Sequence, residues 1–173
     1  RGLQRGKTRP QAATPSLLAL RILLTLGSIR RCRSRVPQTA LLGDVSMAFP
    51  HASIGEDEVW IIFPQELNGM EVTMEDGTTF VVEAGVPYQL GRALYGYRKS
   101  PALWQQFFVD TVADLGIQRC RVEPSLFVNG KQTVFMIVHV DDLLLVGGKV
   151  DVQATFAAIQ AKIKLRVVAT LDQ

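Results

Sequence analysis

Hydrophobic residues recur at helical spacing in three stretches of the chain, and each stretch predicts a helix. The first covers about residues 14–29, where Thr14 and Pro15 suit the N-cap and the first helical position. The second covers residues 100–116, begins with a Ser-Pro pair in the same roles and ends at a glycine. The third covers residues 150–164. Because apolar positions dominate the first helix, we expect it to be buried.

Short apolar runs bounded by turn residues predict strands. The candidates are residues 40–49, 59–63, 71–74, 78–83, 133–138 and 143–146. The first is a buried strand that runs into a turn near Pro50, and Asp76-Gly77 indicates a hairpin between the third and fourth. The last two enclose residues 139–142, which indicates a hairpin with two acids at its tip. Strands and helices mix without strict alternation, so the predicted fold class is α+β, an antiparallel sheet with helices on one face.

The composition narrows the class of protein. At 173 residues the chain has the length of one ordinary domain, and 47% apolar with 20% charged residues excludes a disordered or collagen-like protein. Cys32 and Cys120 are far apart, which excludes a disulfide scaffold and a cysteine-based zinc site and predicts two free thiols. Arg21 interrupts the apolar stretch that follows the Arg-rich start, which argues against a signal peptide. We therefore expect an intracellular protein that is not secreted, with an Arg-rich, acid-poor transit peptide as the alternative that stays open.

Charge is unevenly distributed along the chain. Residues 1–43 contain nine of the nineteen Lys and Arg residues and no acid, whereas the remainder contains all sixteen Asp and Glu residues. A basic arm beside an acidic body favours a polyanion as partner, with nucleic acid ahead of a membrane surface. A solvated run of charge without a partner is the alternative that charge alone leaves open.

Three acidic residues lie beside apolar runs, where an ionised carboxylate needs a partner. Asp141 and Asp142 separate two predicted strands, and Asp44 follows the buried run of residues 41–43. Burying such a charge is costly unless it is paired, hydrogen-bonded or bound to a metal. An exposed turn or edge position would explain each acid separately. If two strands of one sheet bring the acids together, they instead form an oxygen-only magnesium site.

Three blocks, in the right order, resemble the reverse transcriptase domain of copia-type LTR retrotransposons. Asp44-Val-Ser-Met-Ala-Phe-Pro-His-Ala52 resembles the first catalytic block of the family, D-V-[KS]-T-A-F-L-[NH]-[GA]. Leu94-Tyr-Gly-Tyr-Arg-Lys-Ser-Pro-Ala-Leu-Trp104 resembles its L-Y-G-L-[KR]-Q-[AS]-P-x-x-W block. His139-Val-Asp-Asp142 stands where the family has Y-V-D-D. The resemblance covers roughly residues 14–165.

This resemblance implies a right-hand polymerase palm with partial fingers. Residues 1–40 would form a basic N-terminal arm and a partial fingers helix. Residues 41–173 would form the palm, with a fingers insertion at about residues 58–90. Because the family's primer-grip hairpin has no match, we expect a fragment that stops before it.

The implied activity is RNA- and DNA-templated synthesis of DNA with two magnesium ions, which manganese could replace. Asp44 and Asp141 would bind the metals, with the Val45 carbonyl as a further ligand. Asp142 would be the supporting acid of the catalytic set. Phosphoryl transfer of this kind needs positioning and charge neutralisation rather than a covalent nucleophile.

The resemblance also implies contacts with the nucleotide. Phe49 would lie beneath the incoming sugar and exclude a 2′-hydroxyl, which requires the chain to turn after Val45; an ordinary core phenylalanine is the alternative. Tyr95 and Gly96 would face the nucleotide, while Trp104 is predicted to be core. The residues implied at the primer and template are His139, Val140, Ser100 and Pro101.

The implied partners are a primed RNA or DNA template, deoxynucleoside triphosphates and the integrase and ribonuclease H of a retrotransposon polyprotein. No membrane is implied, and the expected location is a cytoplasmic particle or the nucleus. His139 replaces the family's tyrosine, yet all three acids are present. A catalytically inactive remnant of a transposable element, with the palm fold and weak nucleic-acid binding, therefore stays open. An unrelated palm-type enzyme such as a nucleotide cyclase is the third alternative, against which the Leu-Tyr-Gly block argues.

Overall fold

A computed structural model describes residues 13–73 and 77–171. The helices are α1 (Leu17–Arg33), α2 (Ser100–Ala113) and α3 (Lys149–Gln160), with 3-10 turns at Phe49–His51 and Gln65–Leu67. The strands are β1 (Gln38–Val45), β2 (Trp60–Ile62), β3 (Glu71–Thr73), β4 (Thr79–Val81), β5 (Pro87–Gln89), β6 (Ile117–Arg119), β7 (Leu126–Asn129), β8 (Val134–His139), β9 (Asp142–Gly148) and β10 (Leu165–Leu171). The chain divides into two compact units, Arg1–Ala52 with Ala93–Gln173, and Ser53–Arg92.

The larger unit is organised around a six-stranded sheet. Its strand order is β10-β1-β9-β8-β7-β6, and every neighbouring pair is antiparallel. Antiparallel pairing together with three helices confirms the predicted α+β class. Strand β1, which was predicted from residues 40–49, ends at Val45, so the chain leaves the sheet four residues earlier than predicted.

The helices cover both faces of this sheet rather than the one face that was predicted. Val134, Met136 and Val138 of β8 belong to the main core with residues of α2 and α3. Phe135 and Ile137, which alternate with them, belong to a second cluster with α1. Val134–Val138 of β8 are apolar at every position and need cover on both sides, because successive side chains point to opposite faces. The one-face prediction is therefore wrong for α1.

Helix α1 begins later and is more exposed than predicted. Its N-cap is Ser16, not Thr14; the Ser16 hydroxyl accepts a hydrogen bond from the Ala19 N–H at 3.0 Å. Only Leu23 of the helix is buried, whereas Leu17 is 71% exposed. The apolar residues are spread around the helix instead of forming one stripe, so a single contact with the sheet cannot cover them all. The predicted buried helix is wrong in this respect.

The prediction missed four strands, β5, β6, β7 and β10. Strand β10 has the largest effect on the sheet, because it pairs with β1 along most of its length. Strand β6 follows Gly116, which ends the turn after α2 with φ +74°. Three of these strands have only three or four residues, too few for a clear alternating pattern.

The smaller unit, Ser53–Arg92, contains two two-stranded antiparallel sheets, β2 with β5 and β3 with β4. The β3–β4 pair confirms the predicted hairpin, and Gly77 has the positive φ of +83° that the turn needs. Met74 and Asp76, which belonged to that prediction, lie outside the described residues. Phe63 and Phe80 each lie 5.3 Å from the Tyr88 ring, so aromatic contacts hold the unit together.

Both cysteines are free, as predicted. Among the helices of residues 13–73 and 77–171, none combines the length and the apolar character needed to cross a membrane.

Candidate active site

The two adjacent acids lie at the turn between β8 and β9. His139 pairs with Asp142 across the hairpin, which leaves Val140 and Asp141 as a two-residue loop. Val140 has φ +54°, a left-handed conformation that a β-branched residue rarely adopts. Strain of this kind persists only where surrounding contacts hold it in place. The predicted hairpin with acids at its tip is confirmed.

Two hydrogen bonds from outside the hairpin hold this loop. The Val45 N–H, at the end of β1, donates to the Asp141 carbonyl at 2.8 Å. The Trp104 indole N–H, on α2, donates to the Val140 carbonyl at 2.6 Å. Trp104 is 1% exposed and belongs to the core, as predicted, but sequence reasoning missed its contact with the loop. The sequence offered only a general signal for this contact, namely that a buried tryptophan needs a hydrogen-bond partner for its N–H.

Asp44 lies beside the same hairpin. On β1 it pairs with Asp142 of β9 on one side and with Arg166 of β10 on the other. Directly opposite residues of neighbouring strands carry their side chains on the same face of a sheet. The fold thus brings Asp44 next to the loop that carries Asp141, although the chain between them includes the whole smaller unit.

Arg166 is the partner of the Asp44 carboxylate. Its Nε donates to Asp44 Oδ2 at 2.7 Å, and the two side chains are 72% and 21% exposed, respectively. Sequence reasoning missed Arg166 because it predicted no strand after residue 164. No pattern in the sequence pairs an arginine with an acid 122 positions away.

The donor set is only partly assembled for a metal ion. Oxygen ligands suit magnesium, which often binds one or two carboxylates and otherwise keeps water and phosphate oxygens. Asp44 and Asp142 supply two carboxylates on one face, and the Asp141 side chain is half-buried beside them. Among the described residues, however, no group of three or more His, Cys, Asp or Glu side chains has an arrangement that could hold a metal. The carboxylates are oxygen donors of the kind that magnesium binds, and in this structure the Asp44 carboxylate is paired with Arg166.

The chain turns directly after β1, as the position predicted for Phe49 requires. The Ser46 N–H donates to the Lys164 carbonyl at 2.8 Å, and Met47 has φ +54°. Phe49 then begins a 3-10 turn, and its ring lies 4.6 Å from the Tyr95 ring. Phe49 also packs against the main core, whereas Tyr95 is 57% exposed. The first two sequence blocks therefore meet at this aromatic pair.

Gly96 follows Tyr95 with φ +92°, and a Cβ placed on it would meet nothing within 4 Å. The glycine is thus required by the backbone conformation and not by the approach of another part of this chain.

Ser100 does not cap α2 as predicted, because the N-cap is Lys99 and Ser100 is the first residue of the helix. Its predicted place at the primer and template stays a prediction. The Ser100 side chain is fully buried, and its hydroxyl donates to the Leu94 carbonyl at 2.6 Å. Ser100 therefore supports the turn that carries Tyr95 and has no surface for a direct contact. Pro101 is half-buried behind it.

His139 and Val140 complete the set of predicted residues. The His139 side chain is exposed at the end of β8, and the Val140 side chain is half-buried in the loop. Val45 is buried, and the hydrogen bond from its N–H to the Asp141 carbonyl holds it beside the loop.

Comparisons with known proteins agree with the resemblance. Residues 31–173 match the family described as "Reverse transcriptase (RNA-dependent DNA polymerase)". Over 61 residues the chain is 36% identical to the "Retrovirus-related Pol polyprotein from transposon RE1" of Arabidopsis thaliana. The matched stretch is 34% of this chain and 4% of that polyprotein, so the chain corresponds to a small part of its relative. No solved structure matches the chain.

Proposed function

Because this chain belongs to the reverse transcriptase (RNA-dependent DNA polymerase) family, we propose that it is the polymerase domain of a copia-type retrotransposon polyprotein. The observation that carries the proposal is the position of Asp44, opposite Asp142 and beside the loop of Asp141. Asp44, which is distant in sequence, thereby lies beside the adjacent pair Asp141 and Asp142 at one end of the strands. We assign this end of the sheet as the palm and the smaller unit as part of the fingers.

In this proposal Asp44 and Asp141 hold two magnesium ions, with the Val45 carbonyl as a further ligand, and manganese can replace magnesium. Asp142 supports the set by keeping negative charge opposite Asp44. The bound ions would activate the primer 3′-hydroxyl and stabilise the leaving pyrophosphate in an in-line displacement. The protein contributes rigid placement of the carboxylates, because phosphoryl transfer depends on position and charge more than on a protein nucleophile.

The aromatic pair forms the nucleotide side of the proposed site. Phe49 is held by the core and by Tyr95, so its ring can act as a fixed wall against the 2′ position of the sugar. Tyr95 has enough exposed surface to face a nucleotide, and Gly96 sets the turn beneath it. Selection against a ribonucleotide then follows from a clash with one extra hydroxyl.

The proposed polymer partners are a primed RNA or DNA template and the other parts of the polyprotein, integrase and ribonuclease H. His139 and Val140 would contact the primer end, and Ser100 with Pro101 would support the turn under the template. The location proposed is a cytoplasmic particle or the nucleus.

The test measures manganese binding by paramagnetic relaxation and primer extension by a polymerase that contains this chain. Asp141→Asn should weaken manganese binding and abolish primer extension, because a metal ligand is lost. Nucleic-acid binding should change little, because the substitution removes no contact with phosphate. Asp114→Asn is the matched control, since Asp114 is exposed at the opposite end of α2. Extension that survives Asp141→Asn would refute the assignment. Metal binding without any extension would instead favour the inactive remnant.

A further inference from the structure

Trp104 is a buried residue whose polar group contacts the candidate site. Its ring packs in the core with Phe107 and Phe108, at 5.8 and 5.6 Å between ring centres. With 1% of the residue exposed, the indole N–H has no access to solvent as an alternative partner. A buried donor without a partner is costly, so the bond to the Val140 carbonyl is a required part of this packing.

This bond is one of two that fix the peptide groups on either side of Asp141. The Trp104 indole holds the carbonyl that precedes Asp141, and the Val45 N–H holds the carbonyl that follows it. Rotation about the backbone of Asp141 would break one bond or the other. The direction of the Asp141 side chain is therefore set by α2 and β1 together rather than by the hairpin alone.

The conformation of Val140 explains why the loop needs this support. With φ +54°, Val140 is in a region that L-residues with a branched Cβ avoid. Glycine or asparagine would adopt this conformation at little cost. The valine conformation persists only if contacts outside the loop favour it, and the Trp104 bond ends on that residue's own carbonyl.

We infer that Trp104 is a positioning residue for the carboxylate loop: its indole N–H holds the Val140–Asp141 peptide and thereby the orientation in which Asp141 binds a divalent cation. The cation-binding part of this inference rests on the proposed function. Trp104 acts through the loop and touches no reacting atom. Groups that orient metal ligands commonly change metal affinity when they are removed.

The first experiment tests the hydrogen bond in the unmodified 173-residue chain. The chain has two tryptophans, and Trp60 is 55% exposed, so its indole is an internal reference. In nuclear magnetic resonance spectra, the Trp104 indole hydrogen should exchange with solvent at least about 100-fold more slowly than that of Trp60. Exchange rates that agree within about threefold would overturn the inference without any variant.

The second experiment replaces Trp104 with 3-benzothienylalanine, in which sulfur takes the place of the N–H and the ring shape is kept. Exchange of the Val45 amide, which donates to the loop, should rise about tenfold, while the core amides of Met136 and Val152 change less than about twofold. If Trp104 only filled the core, the substitution would change the exchange rates of all three amides together or of none. Trp60→Phe is the control and should change none of them.

The third measurement is the affinity for manganese alone, followed by paramagnetic relaxation. The benzothienylalanine variant should bind manganese about tenfold more weakly, as expected when the support of a metal ligand is lost. If the Val45 amide and the manganese affinity both stay unchanged, the positioning role is refuted. If the unmodified chain binds manganese with no contribution from Asp141, the proposed function fails; the two exchange experiments still decide whether Trp104 holds the loop.

Discussion

At the scale of single residues, Asp44 lies between two neighbours of opposite charge. Asp142 on β9 repels its carboxylate, and Arg166 on β10 attracts it. In this ion pair the Arg166 Nε lies 2.7 Å from Asp44 Oδ2. A metal ion that binds this oxygen would have to displace Arg166. Because Arg166 is 72% exposed, the pair is screened by solvent, and exchange of arginine for a cation at Asp44 should be easy.

Removal of Arg166 should therefore strengthen metal binding. We expect Arg166→Gln to raise manganese affinity about threefold, in line with an exposed ion pair worth about 0.2–1 kcal/mol. The free energy of unfolding should change by less than about 0.5 kcal/mol. Paramagnetic relaxation and urea unfolding measure the two quantities. Arg121→Gln is the control, since Arg121 is also exposed and follows β6, the strand farthest from β1 in the sheet. A weaker affinity in Arg166→Gln would mean that Arg166 helps the metal instead of competing with it.

Phe49 is the second residue whose role can be tested alone. Phe49→Val should lower the preference for deoxyribonucleotides over ribonucleotides about tenfold, because the clash with the 2′-hydroxyl is removed. Single-turnover kcat/KM values for both nucleotides, in a polymerase that contains this chain, give the ratio. Phe107→Val is a matched control, because Phe107 is also a partly buried phenylalanine packed against the main core. An unchanged ratio in Phe49→Val would make Phe49 an ordinary core residue.

At the scale of elements, the β8–β9 hairpin depends on a close backbone approach at Gly147. This residue pairs with Val134 on one side and with Thr39 on the other. A Cβ at position 147 would overlap the Thr133 carbonyl oxygen and lie 3.2 Å from the Val134 Cα. Both obstacles are backbone atoms, which cannot rotate away as a side chain can.

Gly147→Ala should consequently destabilise the hairpin that carries the acids. We expect the free energy of unfolding to fall by about 1–3 kcal/mol or more, the usual cost of overpacking a rigid site. Gly91→Ala is the matched control, because a Cβ there would meet nothing within 4 Å. Urea denaturation of both variants makes the comparison. Equal stability of the two variants would show that β8 and β9 can separate at Gly147 without cost.

The elements that were predicted correctly are those whose pattern is local. The β8–β9 hairpin and α2 have apolar runs with clear ends, and Asp76-Gly77 marks the β3–β4 hairpin. The approach of Asp44 to Asp142 was one of two alternatives that the residues left open, and the resemblance to a polymerase palm favoured it.

What the sequence did not reveal depends on long-range packing. Arg166 could not be assigned to Asp44 without β10, whose six residues after Leu165 are all exposed and show no alternation of buried and exposed positions. Ser100 has the residue type of an N-cap, yet it is the first residue of α2 itself, and its hydroxyl donates to the Leu94 carbonyl. The exposure of α1 follows from its single contact with the sheet, which cannot cover apolar residues spread around the helix.

At the scale of the whole molecule, basic side chains are concentrated near the end of α1 and in the segment after it. Arg21, Arg33 and Arg35 are exposed, while Arg30 lies 4.8 Å above the Phe135 ring and is partly engaged by the sheet. Residues 1–12, which include four further basic residues, lie outside the described part of the chain. The exposed arginines are available to phosphates of a nucleic acid without any change of the fold.

Replacement of Arg21, Arg33 and Arg35 by glutamine should weaken nucleic-acid binding and reduce the dependence of that binding on salt concentration. The slope of log affinity against log salt should fall by about 2–3, since each neutralised phosphate contributes about 0.9 on a duplex. Fluorescence anisotropy with a labelled duplex at several salt concentrations measures the slope. The control changes the exposed residues Arg121, Lys131 and Lys162 to glutamine, which removes the same charge elsewhere. If both triple variants change the slope equally, net charge alone governs binding.

The position of β1 between β9 and β10 has a consequence for how the protein is made on the ribosome. Asp44 leaves the ribosome 122 residues before Arg166. At about 5–20 residues per second, β10 therefore emerges roughly 6–24 s after β1. Until β9 has also emerged, the backbone groups of β1 have no sheet partner, and its apolar face has no core to join. Contacts so distant in sequence also slow folding, because a long loop must close before they form. A nascent chain that has not yet reached β9 should therefore be a substrate for chaperones, and a translation arrest before that point would leave an aggregation-prone strand.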